Sequence, residues 1–373
     1  MAGIYLHIPF CKQACHYCDF HFSTSPRYKD EMVQALLKEI HLQKRYLNNE
    51  TIETIYFGGG TPSVLSADEI YQLINTITEL HTVTADAEIT LEANPDDLDH
   101  HKLKALRKTP VNRFSIGIQS FFDEDLAWMN RVHRSSEAEA SVKRAQDIGF
   151  ENITVDLIYG YPLLTDAKWK HNLNTVFELG IPHISAYSMT VEPQTALATF
   201  ISKKKQPPMS DQQSAEQFNI MLDAMQTNDF EQYEISNFCK PGHYSRHNSN
   251  YWKGVKYLGI GPSAHSFNGD TRQWNVANNA KYIKATADDT IPAETEVLTE
   301  ENRLNEYIMT ALRTKWGIDL NKLDAIAAGS SHELLKAARH YFDDGSITQN
   351  GNIIVLTPHG KLYADNIASA LFF

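Results

Sequence analysis

Apolar residues in the first half of the chain follow two rhythms in turn. Short continuous runs alternate with longer stretches of helical spacing. Residues 4–8 (IYLHI) read as a strand, and residues 29–46 carry Met32, Leu36, Leu37 and Ile40 at the spacing of one helical face. Residues 52–57 (IETIYF) form a second run that leads directly into three glycines. A helix is then expected over 66–80, with Ser66 as N-cap, Glu69 three residues on, and Ile70, Leu73, Ile74 and Ile77 on one face. Further strands are expected near 87–92, 112–118, 153–158 and 183–189, and helices near 99–108, 135–148 and 166–179. Strands that alternate with helices imply parallel pairing through right-handed crossovers. Periodicity alone admits a doubly wound sheet or an incomplete barrel. Both put the chemistry at the carboxyl ends of the strands. The unusual stretches fall there: GGGTPS (58–63), LEANP (91–95), GIQSF (117–121) and DLIYGYP (156–162).

After about residue 190 the rhythm breaks. A basic, proline-containing connector (202–210) precedes a helix near 211–228 and a short strand near 231–235. Residues 236–275, rich in Gly, Asn, His and aromatics, read as irregular. This gives three parts: a core over 1–235, an irregular segment over 236–296 covering the site, and a small domain over 297–373. The last is expected to hold helices near 299–313 and 332–343, a short strand and a final helix, in the manner of a winged helix.

Composition narrows the function. The 373-residue chain is long enough to bury a large core, and its net charge of -12 disfavours a general nucleic-acid surface. There is no run of eighteen apolar residues to span a membrane and no basic-then-apolar leader at the N-terminus. Four cysteines are too few for a disulfide framework, so a reducing cytoplasm is the expected location. Three of the four lie close together in CKQACHYC, as Cys11, Cys15 and Cys18. Thiolates at Cys-x3-Cys-x2-Cys spacing can hold an iron–sulfur cluster, or zinc with His16 or His21 as fourth ligand. A four-iron cluster on three thiolates leaves one iron open to a substrate. The fourth cysteine, Cys239, reads as a small apolar residue.

Cys-x3-Cys-x-aromatic-Cys resembles the signature of the radical S-adenosylmethionine (SAM) enzymes. YLHIPFC, FGGGTPS, LEANPD, RFSIGIQSF and DLIYGYP together are similar to the blocks of the coproporphyrinogen oxidase-like subfamily, whose relatives include haem chaperones. The resemblance covers essentially the whole chain. It implies an α/β fold, a partial (β/α)6 barrel with a smaller winged-helix-like C-terminal domain. It also implies a [4Fe–4S] cluster on Cys11, Cys15 and Cys18, with SAM on the open iron. Tyr5 would lie beside SAM, Gly59, Gly60 and Thr61 would hold its methionine end, and Glu92 would make polar contacts to it. Gln119, Arg131 and Asp156, with Tyr17 and Thr190 nearby, match positions that contact a second SAM in the oxidases. Arg131 and Asp156 read equally as a structural ion pair.

Two features separate the relatives. Oxidase-type members carry a further cysteine two residues after the third ligand; here that position is Phe20. This argues against decarboxylation of coproporphyrinogen, and a radical SAM methyltransferase has no acceptor motif to support it. The block HNSNYW (247–252) is similar to one that marks the haem chaperones. By that resemblance His247, Tyr251 and Trp252 would contact haem, and the protein would pass haem to respiratory acceptor proteins with at most peripheral membrane contact. His243 and His265 are further histidines near this block.

Overall fold

A computed structural model describes all 373 residues. Its main feature is a twelve-stranded sheet built around six parallel strands taken in chain order. These are β1 (Ala2–Ile8), β2 (Ile52–Gly59), β3 (Val83–Ala93), β4 (Arg113–Gln119), β5 (Ile153–Tyr159) and β6 (His183–Ser188). Each crossover carries a helix: Lys29–Leu42, Ala67–Leu80, His100–Leu106, Ser135–Asp147 and Asp166–Glu178. The strands curl into the expected partial barrel. Its outer face is covered by helices whose apolar stripes feed one core of 61 buried residues. The chain obeys its local signals where they are strongest. Ser66 caps the second helix by accepting from the Glu69 N–H at 3.1 Å, while Glu69 accepts from the Ser66 N–H at 2.6 Å. This reciprocal pair satisfies two donors that the first helical turn leaves free.

The segment 236–275 is not irregular. It contains β8 (Asn237–Cys239), a helix (Arg246–Trp252), β9 (Lys256–Ile260), β10 (His265–Phe267) and β11 (Thr271–Asn275). With β7 (Glu231–Glu234) and β12 (Ala293–Val297) these strands extend both edges of the barrel sheet, and β9 lies parallel to β1. The strands are short and pair with distant partners, so they lack the apolar run that reveals a buried strand. Cys239 is buried in β8, as a small apolar residue would be. The helix Arg246–Trp252 packs against Thr54 near the start of β2 and Glu88 in the middle of β3.

The C-terminal domain has its own core of sixteen buried residues between Leu304 and Leu371. Helices Glu300–Leu312, Leu320–Ile326 and Ser330–Ala337 surround a three-stranded antiparallel sheet. Its strands are β13 (Ile318–Asp319), β14 (Ile347–Asn350) and β15 (Ile353–Leu356), in the order β13–β15–β14. The helix expected near 332–343 is broken at Ala338, and β14 adds a hairpin to the strand that was expected alone.

Candidate active site at the barrel mouth

The loop that follows β1 carries the three thiols. A bridge between Phe10 and Ser23 closes its base, with the Cys11 N–H donating to the Ser23 carbonyl at 3.0 Å. The segment 128–131 ties down the middle of the loop. The His16 N–H donates to the Met129 carbonyl at 3.1 Å, and Asn130 Nδ2 donates to the Ala14 carbonyl at 2.7 Å. Cys11, Cys15 and Cys18 are half-buried and free. Burial pushes the Cys18 thiol up to about 12 and also raises Cys11. Thr61 Oγ1 lies 3.4 Å from Cys11 Sγ, and Arg131 Nη1 lies 3.4 Å from Cys15 Sγ.

This donor set suits a cluster better than a single ion. A cubane spreads its thiolates over separate irons. The histidines considered as fourth zinc ligands each have one ring nitrogen paired: His16 Nδ1 with the Trp128 carbonyl at 2.8 Å, and His21 Nε2 with Asn279 Oδ1 at 2.7 Å.

The glycine run after β2 supplies a cradle. Gly59 has φ +102°, and a Cβ on Gly60 would lie 2.7 Å from the Phe10 carbonyl oxygen. Only glycine lets the turn pass this close beneath the cysteine loop. The Thr61 N–H donates to the Phe10 carbonyl at 2.7 Å, so the cradle and the loop are joined.

Inside the barrel is a polar chamber of about 220 Å³, lined by Tyr5, Tyr56, Glu92, Asp156 and Tyr187 among others. Tyr56 OH donates to Glu92 Oε1 at 2.7 Å. Burial pushes the Glu92 carboxyl up to about 8; the Tyr56 hydrogen bond opposes this, and the nearby Asp156 charge adds to it. Asp156 accepts from Ser115 Oγ at 3.1 Å, and burial raises its pKa too. Two inward carboxyls that resist ionisation form a ready counter-charge for a cationic ligand.

Arg131 and Asp156 are not an ion pair. Arg131 Nη2 donates to Asn94 Oδ1 and to the Gly117 carbonyl, each at 2.7 Å, and Nε is buried with no partner. Arg131 therefore spans from the thiol loop to the end of β4, beside half-buried Tyr17. Gln119 lies at that strand end with φ +68°, where a bulge breaks the register with β5. Thr190 stands apart from the chamber. It lines a separate cleft toward the C-terminal domain.

The HNSNYW block faces inward. His247 is only 3% exposed. Its Nδ1 pairs with Thr54 Oγ1 at 2.8 Å and its Nε2 with Tyr251 OH at 3.0 Å. Its ring stacks on Tyr56 at 4.9 Å, and burial pushes its pKa down to about 3. Both ring nitrogens of His247 are thus paired with hydroxyl groups inside the barrel. Tyr251 packs edge-on against Tyr257, and Trp252 lies beneath the Arg313 guanidinium at 5.3 Å. The block closes the barrel and joins it to the C-terminal domain. Residues missed in the sequence include Tyr56, Asn94 and Arg113. Arg113 is fully buried and donates to Asn152 and Thr154. Tyr56 sits in β2 opposite Tyr5 in β1, and that shared register was the available signal.

The barrel, the three-thiol loop and the glycine cradle define a radical SAM protein. The Radical SAM superfamily model matches residues 5–176 and the HemN C-terminal domain model matches 298–363. The fold superposes on coproporphyrinogen III oxidase (HemN) from Escherichia coli with a TM-score of 0.85. That match has 24% identity and covers 100% of this chain and 90% of the other. The heme chaperone HemW of Bacillus subtilis is 35% identical over 99% of both chains. HemW of Mycobacterium tuberculosis H37Rv is 33% identical over 99% of this chain and 94% of its own. The chain belongs to the HemW family. No helix is long and apolar enough to cross a membrane.

Proposed function

We propose that the protein binds haem and delivers it to haem-dependent respiratory proteins, with a [4Fe–4S] cluster and SAM governing binding or release. The observation that carries this reading is the end-to-end similarity to proteins named heme chaperone, at 35% identity for the Bacillus subtilis relative. Phe20 supports it: an exposed phenylalanine stands where oxidase-type sequences have a cysteine, so the chain lacks a thiol at that point beside the cluster loop.

Cys11, Cys15 and Cys18 would hold the cluster, which when bound supplies an open iron for the amino and carboxylate groups of SAM. The chain's own contribution is positioning. Gly59 and Gly60 leave room beside the cysteine loop for the methionine end, and the Thr61 hydroxyl lies next to Cys11. Glu92 and Asp156 offer negative charge once a cation enters. Arg131 fixes the thiol loop against β4, and Gln119 and Tyr17 flank it. Tyr5 and Tyr56 form an aromatic wall, with ring centroids 6.1 Å apart. His247 and Tyr251 hold that wall from behind, as positioning residues.

The test is a haem titration of anaerobically reconstituted protein, run beside an assay with coproporphyrinogen III. Haem binding without formation of decarboxylated product is expected. Turnover of coproporphyrinogen, or no haem binding in any cluster or SAM state, would overturn the reading.

A further inference from the structure

His247 lines the barrel chamber with both ring nitrogens already paired. The 220 Å³ chamber is also too small, since sites for ligands of this class run from roughly 300 to 1,000 Å³. We propose that haem seats in the cleft between the barrel rim and the C-terminal domain, with its propionates on Lys361 and Arg313. This rests on the haem-carrier reading above and gives it a location.

The cleft has a volume of about 1040 Å³, the right scale for a tetrapyrrole. The end of β6 and the helix Asp211–Thr227 form one wall; the segment 361–366 forms the other. Both walls leave apolar surface open: Val191 is 38% exposed on the barrel side and Tyr363 is 50% exposed opposite. Met189, Met209 and Phe218 continue the apolar lining. A flat macrocycle would cover these surfaces from both sides.

Two cations, Lys361 and Arg313, line the cleft. Lys361 makes no ion pair: its Nζ donates to the neutral Gln232 Oε1 at 2.7 Å, and burial lowers its pKa. Arg313 pairs with Asp365 and covers Trp252, yet its Nε is buried with no partner. Two acids also line the cleft. Asp365 is taken by Arg313, and Asp211 sits exposed at the start of its helix. A carboxylate reaching Lys361 would relieve a desolvated ammonium that has no counter-ion. Of the side chains able to ligate haem iron, the cleft offers Met189, Met209 and Tyr363 and no histidine. Tyr363 is the most accessible of the three, with the His359 ring edge-on at 5.5 Å. A phenolate ligand is therefore part of the proposal.

The test titrates ferric haem into full-length, cluster-reconstituted protein, with iron content and SAM binding measured on every variant. Ala215→Trp, on the barrel wall of the cleft, should weaken haem binding at least tenfold by filling it. Lys361→Gln keeps a polar end for Gln232. It should weaken haem about tenfold, the scale of one charge-assisted hydrogen bond, but leave haem dimethyl ester unaffected. Tyr363→Phe should shift the ferric absorption spectrum. Wild-type affinity and spectrum in all three variants would overturn the cleft assignment and leave the carrier reading intact. A wild-type protein that binds no haem would overturn the carrier reading itself.

Discussion

Replacing Glu92 with glutamine should stabilise the ligand-free protein in alkali and weaken SAM binding, because the residue is held against its own ionisation. Burial raises its carboxyl from 4.5 to about 8. Between those values the folded chain keeps a proton that the unfolded chain has given up. The contribution of Glu92 to folding stability is therefore fully present below 4.5 and is lost as pH rises through 8. The loss approaches about 1.4 kcal/mol per pH unit within the window. A glutamine side chain cannot ionise and still accepts the Tyr56 hydroxyl. The stability of Glu92→Gln relative to wild type should therefore grow from about pH 5 to 8 and level off near 9, at about 4 kcal/mol. Urea unfolding of cluster-free, reduced protein at each pH measures this. Comparing variant with wild type removes the contribution of Asp156, which is shifted the same way. SAM binding should behave in the opposite sense. Its sulfonium favours the carboxylate, so wild-type affinity should rise toward about tenfold per pH unit below 8, and the variant's should not. Parallel unfolding curves at all pH values would refute the claim that Glu92 is neutral in the ligand-free protein.

Other expectations follow from the same structure. Cys11→Ala, Cys15→Ala and Cys18→Ala should each lose most bound iron and sulfide after reconstitution, as read by metal analysis, while Cys239→Ala should retain both because Cys239 is buried in β8. Gly60→Val should abolish SAM binding with iron retained, as measured by equilibrium dialysis, since a Cβ there meets the Phe10 and Ile8 backbone. Trp169→Ala should cost about 3–5 kcal/mol in chemical unfolding, because the fully buried indole also donates to the Gln217 carbonyl. Thr54→Val removes the partner of His247 Nδ1 and should cost about 1–3 kcal/mol without changing the haem spectrum.

The Ser66–Glu69 capping box and the strand–helix alternation were legible because their causes lie within a few residues. The thiol spacing was legible for the same reason. Tyr56, Asn94 and Arg113 were not, since an inward strand position becomes a site residue only once the register beside it is known. The strands between 237 and 275 were hidden because they are short and because β8 and β9, which anchor them, pair with β6 and β1 far away in sequence. HNSNYW stood out as a block, but its residue types do not reveal which way a helix turns them. The Ser245 cap and the acceptor Glu88, which takes the His247 N–H at 2.9 Å, set that direction and bury the ring. Thr190 was matched by resemblance to the neighbourhood of a second SAM, whereas it lines the cleft toward the C-terminal domain.

The most direct test of the central claim is iron and acid-labile sulfide per chain in anaerobically reconstituted protein, with the electron paramagnetic resonance of the reduced sample recorded before and after SAM. A cluster on the three thiols predicts about four irons and four sulfides and a signal that changes when SAM is added. Zinc with negligible sulfide, or a reduced-cluster signal indifferent to SAM, would contradict it.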